Sequence, residues 1–371
     1  MNLSYWEIKS WFTNIDYTIV GSGIVGLSCA LSLKERFPNA NILILEKGTL
    51  PQGASTKNAG FACFGSLSEI LDDLTTHSEE EVLEIVSKRV EGLQLLRKNL
   101  GDEAINYLQY GGYELFPEED EGLYEICLSK REQINSLLNP IFKDDVFSLK
   151  ENSFNYKNIK QGYIFNQFEG QIDTGLMMET LLQKAQSKGI KILNNIVVED
   201  YDESNNSVLV KTNIFEFLTS KLLIATNGFA SELISEPVKP ARAQVLITKP
   251  IKDLHIKGTF HLNKGYFYFR NINDRILFGG GRHLDFKGEE TTALSQTILI
   301  QSNLETILKN IILPNTPFEI EHRWSGIMGV GNQKKAIVKQ LSNHVFCGVR
   351  LGGMGIAIGS TIGNDLAQLI D

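Results

Sequence analysis

Residues 15 to 46 constrain the fold more than any other stretch of the chain. Ile15-Asp-Tyr-Thr-Ile-Val20 reads as a buried strand and Gly21-Ser-Gly-Ile-Val-Gly26 as a turn into a helix that runs to Phe37. Asn41-Ile-Leu-Ile-Leu-Glu46 reads as a second strand tipped by an acid. Strand, glycine turn, helix and acid-ended strand in this order make a dinucleotide-binding βαβ unit. Gly21 allows the tight strand-to-helix turn, where a Cβ would clash. Gly23 lets the main chain approach a pyrophosphate, and Gly26 lets the helix lie close on the sheet. The first helical turn, with Ile24 and Val25, then aims free N–H groups and the positive end of the helix at the phosphates. Glu46 stands where a carboxylate accepts hydrogen bonds from an adenosine ribose and repels a 2′-phosphate, which disfavours NADP. The run from Thr18 to Leu33 is too short to span a membrane, which takes roughly twenty apolar residues.

With 371 residues the chain can bury a large core and divide into two domains. A net charge of −8 argues against a nucleic-acid partner, which calls for clustered basic surface. The opening Met-Asn-Leu-Ser-Tyr-Trp-Glu lacks the basic, apolar and small-residue order of a secretory signal. Cys29, Cys63, Cys127 and Cys347 are widely spaced and read as reduced thiols of a cytoplasmic protein. No His/Cys cluster has metal-ligand spacing, so no metal is expected.

Beyond Glu46, Gly53-Ala-Ser-Thr-Lys-Asn-Ala-Gly-Phe61 is small, glycine-punctuated and polar, suited to a backbone threaded around a ligand. Ser55, Lys57 and Asn58 offer hydrogen bonds or charge there. Ser78-x-x-Glu81 is a capping box before the apolar stripe Val82, Ile85, Val86, Val90 and Leu93, and Gly101 is a stop. A strand is expected over Gly111 to Phe116, an acidic helix over Glu118 to Leu138, and a helix capped by Asp173 that reaches Lys188. Lys221-Leu-Leu-Ile-Ala-Thr-Asn-Gly228 is a buried strand returning to the first sheet, so the nucleotide domain is discontinuous. Arg242 to Thr248, Gly265 to Arg270 and Arg275 to Gly281 read as strands, the last two joined by a turn at Asn271 to Asp274. Alternation puts Tyr266, Tyr268 and Arg270 on one face, a candidate cavity wall, with Phe267 and Phe269 on the other. His77 reads as an exposed helix-end residue and His283 as a loop residue. Arg350-Leu-Gly-Gly-Met-Gly355 precedes a final helix from Ile356, so a second glycine-lined helix start points at negative charge. Two such starts and one ribose acid imply a single long ligand touched at both ends, and FAD fits.

On these residues the chain resembles the D-amino-acid oxidase / glycine oxidase superfamily of FAD-dependent amine oxidoreductases. The likeness rests on Val-Gly-Ser-Gly-Ile-Val-Gly-Leu at 20 to 27, Leu-Glu-Lys at 45 to 47 and the 53 to 61 segment. It continues with Glu-Gly-Gln-Ile-Asp at 169 to 173, Ala-Thr-Asn-Gly at 225 to 228, Arg-Trp-Ser-Gly at 323 to 326 and Gly-Gly-Met-Gly at 352 to 355. Ser4-Tyr5-Trp6 and Asn-Ala-Gly-Phe lean toward the branch similar to γ-glutamylputrescine oxidase.

The resemblance implies an α/β fold. A Rossmann-like FAD-binding domain with a glutathione-reductase-type βαβ unit would take residues 1–66, 151–240 and 326–371. A second α+β substrate domain on a mixed, largely antiparallel sheet would take 67–150 and 241–325. Noncovalent FAD would lie extended, its adenosine at Glu46 and Lys47, adenine beside the backbone of Val198, and pyrophosphate at the first glycine loop. The 55 to 61 segment, with Ala59 and Gly60, would run beside the flavin. Thr226, Asn227 and Gly228 complete the cofactor motifs, and Gly352, Gly353, Met354, Gly355 and Ile356 would stabilise negative charge on the flavin. The implied reaction is hydride abstraction from an amine carbon, giving an imine, with oxygen or an electron carrier as acceptor. Tyr268, Arg270 and Arg350 are the residues expected to hold or cover the substrate, and Arg350 would offer a bidentate fork to a carboxylate. Arg242 and Arg323 are expected to be structural.

The chain departs from sarcosine oxidases of this superfamily at three places. It has no carboxylate-pairing lysine after the last glycine motif and no flavin-tethering cysteine near 324 to 330, and Leu277 stands where an oxygen-activating lysine would. Fast reaction with oxygen is therefore not expected. Disulfide reductases are excluded by the lack of a second glycine motif and of a redox cysteine pair. A dehydrogenase using a quinone or protein acceptor, or a flavin-binding protein without turnover, remains the alternative.

Overall fold

The computed structural model describes residues 2–120 and 122–371. After a single helical turn, α1 (Tyr5–Glu7), the chain enters β1 (Ile15–Val20), α2 (Ile24–Arg36) and β2 (Ile42–Glu46), the unit expected from the glycine pattern. A short strand β3 (Phe61–Ala62) leads to α3 (Leu67–Asp73) and α4 (Glu79–Leu100). Then come β4 (Gly112–Leu115), α5 (Leu123–Phe142), β5 (Phe147–Glu151), β6 (Gly162–Asn166), β7 (Gly170–Gln171) and α6 (Thr174–Ser187). The strands β8 (Lys191–Asn194), β9 (Val198–Glu203), β10 (Val208–Thr212) and β11 (Glu216–Ile224) follow. A second group is formed by β12 (Lys239–Thr248), β13 (Thr259–Leu262), β14 (Phe267–Ile272) and β15 (Arg275–Gly280), with α7 (Ile298–Ile307) and β16 (Ile320–Val330). The chain closes with β17 (Ile337–Gln340), β18 (Val345–Val349) and α8 (Gly355–Gln368).

Two large sheets organise these elements. In the first the order is β17-β18-β11-β1-β2-β8, with β10 and β9 branching from β11. Here β18, β11, β1, β2 and β8 run parallel. Parallel strands are covered on both faces, which is why Ile42–Glu46 is buried at every position and Val345–Val349 likewise. On one face α2, α4, α6 and α8 share a core through Leu27, Val82, Val86, Leu93, Met177 and Ile362. The strand 216–224 does return beside β1, as its apolar, small-residue sequence required.

The second sheet runs β16-β12-β15-β14-β13-β4-β6-β5 and is antiparallel except at β13–β4. Its outer face packs Phe260, Phe267, Phe269 and Phe278 against Ile300 and Leu304 of α7. The hairpin between β14 and β15 is tighter than expected: β14 continues to Ile272, and only Asn273 (φ 46) and Asp274 (φ 58) make the turn. Both adopt the left-handed conformation that a two-residue turn of matching twist needs.

Strand pairing divides the chain differently from the expected 67–150 and 241–325 boundaries. Residues 162–166 pair with β4 and β5 in the second sheet, and β16 carries that sheet past residue 326 to Val330. Helix α4 packs on α8, where its apolar stripe finds cover. The acidic helix starts at Leu123 and not at 118, since the Asp120 carboxylate accepts from the Tyr124 N–H. Ser78 Oγ accepts from Glu81 N, and Glu81 reaches back to Ser78 N, so the capping box is formed. Ser78→Ala is expected to lower the stability of the protein by roughly 0.5–2 kcal/mol, read as a shifted urea midpoint at unchanged slope.

Candidate functional site

The two helix starts meet in one cavity of about 470 Å³. At the α2 end, Gly21 has φ +104, and a Cβ there would lie 2.9 Å from Ala225 O. A Cβ on Gly26 would lie 2.0 Å from Gly21 O, so the helix rests on its own turn. The N-cap of α2 is Gly23, which supplies no side-chain acceptor. Ser55 Oγ accepts from Ile24 N instead, at 3.0 Å. That bond ties the 53–61 loop to the expected phosphate site, and Ser55 itself lines the cavity.

Glu46 is buried at the tip of β2. Its Oε2 accepts from Ser22 N at 3.1 Å and Ser22 Oγ at 2.8 Å, and its Oε1 from Gly48 N at 2.9 Å and Gln52 N at 3.2 Å. The carboxylate therefore shapes the loop as well as lining the cavity. Beside it, the Lys47 ammonium lies 3.2 Å from the centroid of the Phe229 ring and 3.8 Å from Glu232. Val198 lines the same end.

Along the middle, Asn58 spends its side chain on the loop: Nδ2 donates to Ala54 O and Ser55 O, while Oδ1 accepts from Gly60 N and Thr174 Oγ1. Gly60 lies behind the cavity wall, with φ +73 and no room for a Cβ against Ile172 O. Lys57 and Ala59 face the cavity, and Lys57 O is anchored by the Trp324 indole N–H at 2.9 Å. Asn227 Oδ1 accepts from Leu351 N, joining the two halves of the site. Gly228 is outside the lining, because it lets the turn pack on Met328 O. At the far end the N-cap of α8 is Met354, which provides no capping side chain. No atom lies within 4 Å of a Cβ built on Gly352 or Gly355. Gly352 to Ile356 all line the cavity.

These residues fit an extended FAD. The N–H groups at both helix starts lack side-chain caps, apart from the one Ser55 holds. Thr226 Oγ1, on the lining, is buried without a partner. A dinucleotide would satisfy these donors and bring negative charge to both positive helix ends.

The inner face of the second sheet closes the cavity. Tyr266 and Tyr268 line it as expected from alternation. Burial pushes the Tyr268 phenol up to about 12, so it stays protonated. Arg270 shares the face but lies outside the cavity, nearly fully buried, with Nε unpartnered and its guanidinium against Gly60. Arg350 is also outside: Nε and Nη2 donate to Lys335 O at 3.1 and 2.8 Å, leaving no fork for a carboxylate. Its backbone is in the left-handed region, with φ 65. Arg242 and Arg323 are bound to Glu289 and Glu305.

Several lining residues were not singled out from the sequence. His261 on β13 is one, and Arg282 after β15 another. Cys63, Glu169 and His261 bring one sulfur, one carboxylate oxygen and one ring nitrogen within 4.8 Å of one another. Residues 63, 169 and 261 are too far apart in sequence for spacing to reveal that group. The alternation Thr259, Phe260, His261, Leu262 is the one sequence signal, since it puts His261 opposite the phenylalanine core. His283 is half-buried against the Tyr266 and Phe267 rings. His77 is half-buried in the turn between α3 and α4.

A parallel nucleotide sheet, a mixed cap sheet and one cavity spanning two open helix starts define an FAD-dependent oxidoreductase. The chain belongs to the DAO family, described as FAD dependent oxidoreductase, whose model matches residues 16–369. The probable oxidoreductase OrdL of Haemophilus influenzae is 20% identical over 391 residues, covering 96% of this chain and 82% of that protein. Among solved structures, L-proline dehydrogenase from P. horikoshii superposes with a TM-score of 0.75 at 20% identity, covering 96% of this chain and 93% of that one. Glycine oxidase from Geobacillus kaustophilus gives a TM-score of 0.75 at 18% identity, covering 96% and 95%. These structures share the fold. No helix among the described residues is long and apolar enough to cross a membrane.

Proposed function

We propose that the protein oxidises the carbon–nitrogen bond of an amine or amino acid to an imine. Bound FAD would supply the hydride acceptor. The observation that carries this reading is the continuity of the cavity, from the open α2 start to the Tyr268 and His261 face. A small substrate there lies between the sheet and the 57–61 loop. The apolar wall of Phe61, Ile327, Met328 and Leu351 excludes water from the reacting carbon. The open start of α8 places uncapped N–H groups and a positive helix end at the other end of the site. The similar structures are named for proline and glycine, both amines, which supports the substrate class. Ser4-Tyr5-Trp6 and the Asn-Ala-Gly-Phe segment support a branch similar to γ-glutamylputrescine oxidase.

One observation favours a dehydrogenase over an oxidase. Leu277 packs on Ala59 and Val245, so an apolar side chain faces the loop beside the expected flavin position. Anaerobic mixing of FAD-loaded enzyme with amino acids, N-methylated amino acids and acylated polyamines is expected to bleach the flavin band for at least one class. A flavin that stays oxidised across the panel would overturn the reading. Reduced enzyme is then expected to reoxidise faster with a quinone dye than with air.

A further inference from the structure

Three buried donors of different chemistry meet at the wall of the cavity. Cys63 follows β3, Glu169 precedes β7 and His261 lies on β13. One sulfur, one carboxylate oxygen and one ring nitrogen lie within 4.8 Å of one another, and all three residues are buried. Cys63 and His261 line the cavity, and Glu169 is outside the lining. His261 Nε2 stands 3.5 Å from Glu169 Oε2 yet makes no hydrogen bond, which leaves a buried ring nitrogen without a partner. Such orphaned polar atoms are rare and call for a cause. Two donors that share a tetrahedral ion, each about 2.1 Å from it, stand about 3.4 Å apart. The spacing of Nε2 and Oε2 therefore suits a shared ion better than a direct bond.

We propose that Cys63 Sγ, Glu169 Oε2 and His261 Nε2 hold one zinc-class cation, with its fourth coordination position open to the cavity. Sulfur disfavours magnesium and calcium, which take oxygen ligands, whereas a mixed set of sulfur, nitrogen and oxygen suits zinc. Three protein ligands with one open position are the pattern of a zinc ion that also binds a small molecule. A thiolate, a carboxylate and a neutral imidazole around a dication sum to zero charge, as a buried site requires.

The surroundings hold the ligands in place. Glu169 Oε1 accepts from Phe64 N at 3.1 Å, and its main-chain oxygen accepts from Gly111 N at 3.0 Å, so Oε2 is the oxygen left for the ion. Gly112 leaves room for it, since a Cβ there would lie 2.0 Å from Oε2. Phe61 meets the imidazole edge to face, at 5.3 Å between centroids. Neither Arg89 nor Lys264 takes the place of the cation, because Arg89 donates to Phe64 O and Lys264 to Asp72. Burial, with Glu169 adding, pushes the Cys63 thiol up, so it is neutral without a metal. Uptake replaces its S–H bond with a sulfur–metal bond and releases the proton to solvent. No metal is expected from the sequence spacing, but the fold brings together donors that the sequence separates.

The test dialyses tag-free, FAD-loaded protein against chelator-buffered zinc and counts metal per flavin. One zinc per FAD is expected, and a large excess of magnesium should not displace it. Cys63→Ser, Glu169→Gln and His261→Gln should each weaken zinc binding at least about 100-fold, since even groups behind a metal's ligands are worth about 10- to 100-fold. Cobalt in place of zinc reports the ligands in the unaltered protein, so the result does not depend on any variant folding. Tetrahedral cobalt bands to the red of the flavin are expected, with a sulfur-to-cobalt band in the difference spectrum, and azide should shift them through the open position. Zinc well below one per FAD, cobalt without a sulfur band, or full uptake by Cys63→Ser would each overturn the proposal. Bands that azide leaves unmoved would overturn the open position. Metal uptake is read without substrate, so this result and the test of the amine chemistry stand or fall separately.

Discussion

Gly26→Ala is expected to weaken FAD binding on the order of 10- to 100-fold and to give nearly colourless protein after purification. The added methyl would sit 2.0 Å from Gly21 O and 3.3 Å from Ile19 Cγ2. The closer neighbour is main chain and cannot rotate away. Either α2 lifts from the sheet or the 21–23 turn moves, and both spoil the alignment of N–H groups with the pyrophosphate position. Overpacking of this kind costs roughly 1–3 kcal/mol, and each 1.4 kcal/mol is tenfold in affinity. FAD titration followed by protein fluorescence checks the first effect, and thermal unfolding with and without added FAD checks the second. FAD affinity equal to that of the unaltered protein would show that the turn tolerates the shift.

Gly26 also shows how far the sequence could be read. The glycines at 21, 23 and 26 gave the strand–turn–helix geometry because each depends on local backbone, which is encoded by neighbours in the chain. The same holds for the Ser78 cap and for the alternation that set Tyr266 and Tyr268 against Phe267 and Phe269. Contacts between distant segments were hidden. Arg350 sat next to a glycine motif and read as a carboxylate fork. Nothing near it in sequence announced that Lys335 O, in the loop before β17, would take its guanidinium. Asn58 lines the cavity as its type suggested, and its side chain also braces its own loop, which the sequence did not show. His261 is not legible in the sequence because its neighbours Cys63 and Glu169 come from two separate loops that only the folded sheet brings together. Local geometry was legible, and the pairing of charges across the fold was not.

The second large effect is expected away from the cofactor. Glu289→Ala should destabilise the enzyme by roughly 3–5 kcal/mol, among the costliest single changes available in the cap. Arg242 Nε and Nη2 each donate to Glu289 at 2.8 Å, Nη1 bonds Ser295 Oγ, and both charged side chains are almost fully buried. Gln244 adds a third donor to Glu289 Oε1 at 2.9 Å. Removing the carboxylate strands a guanidinium in a site closed to water and leaves the amide of Gln244 with one partner fewer. The cost comes from the unpaired charge and not from the worth of the pair, so the double change Arg242→Met with Glu289→Leu should recover most of the loss. Urea unfolding of the FAD-loaded enzyme, with its flavin still reducible, measures both. A single change that proved as mild as the double one would mean that water reaches the guanidinium, and that this arginine is free to meet a ligand after all.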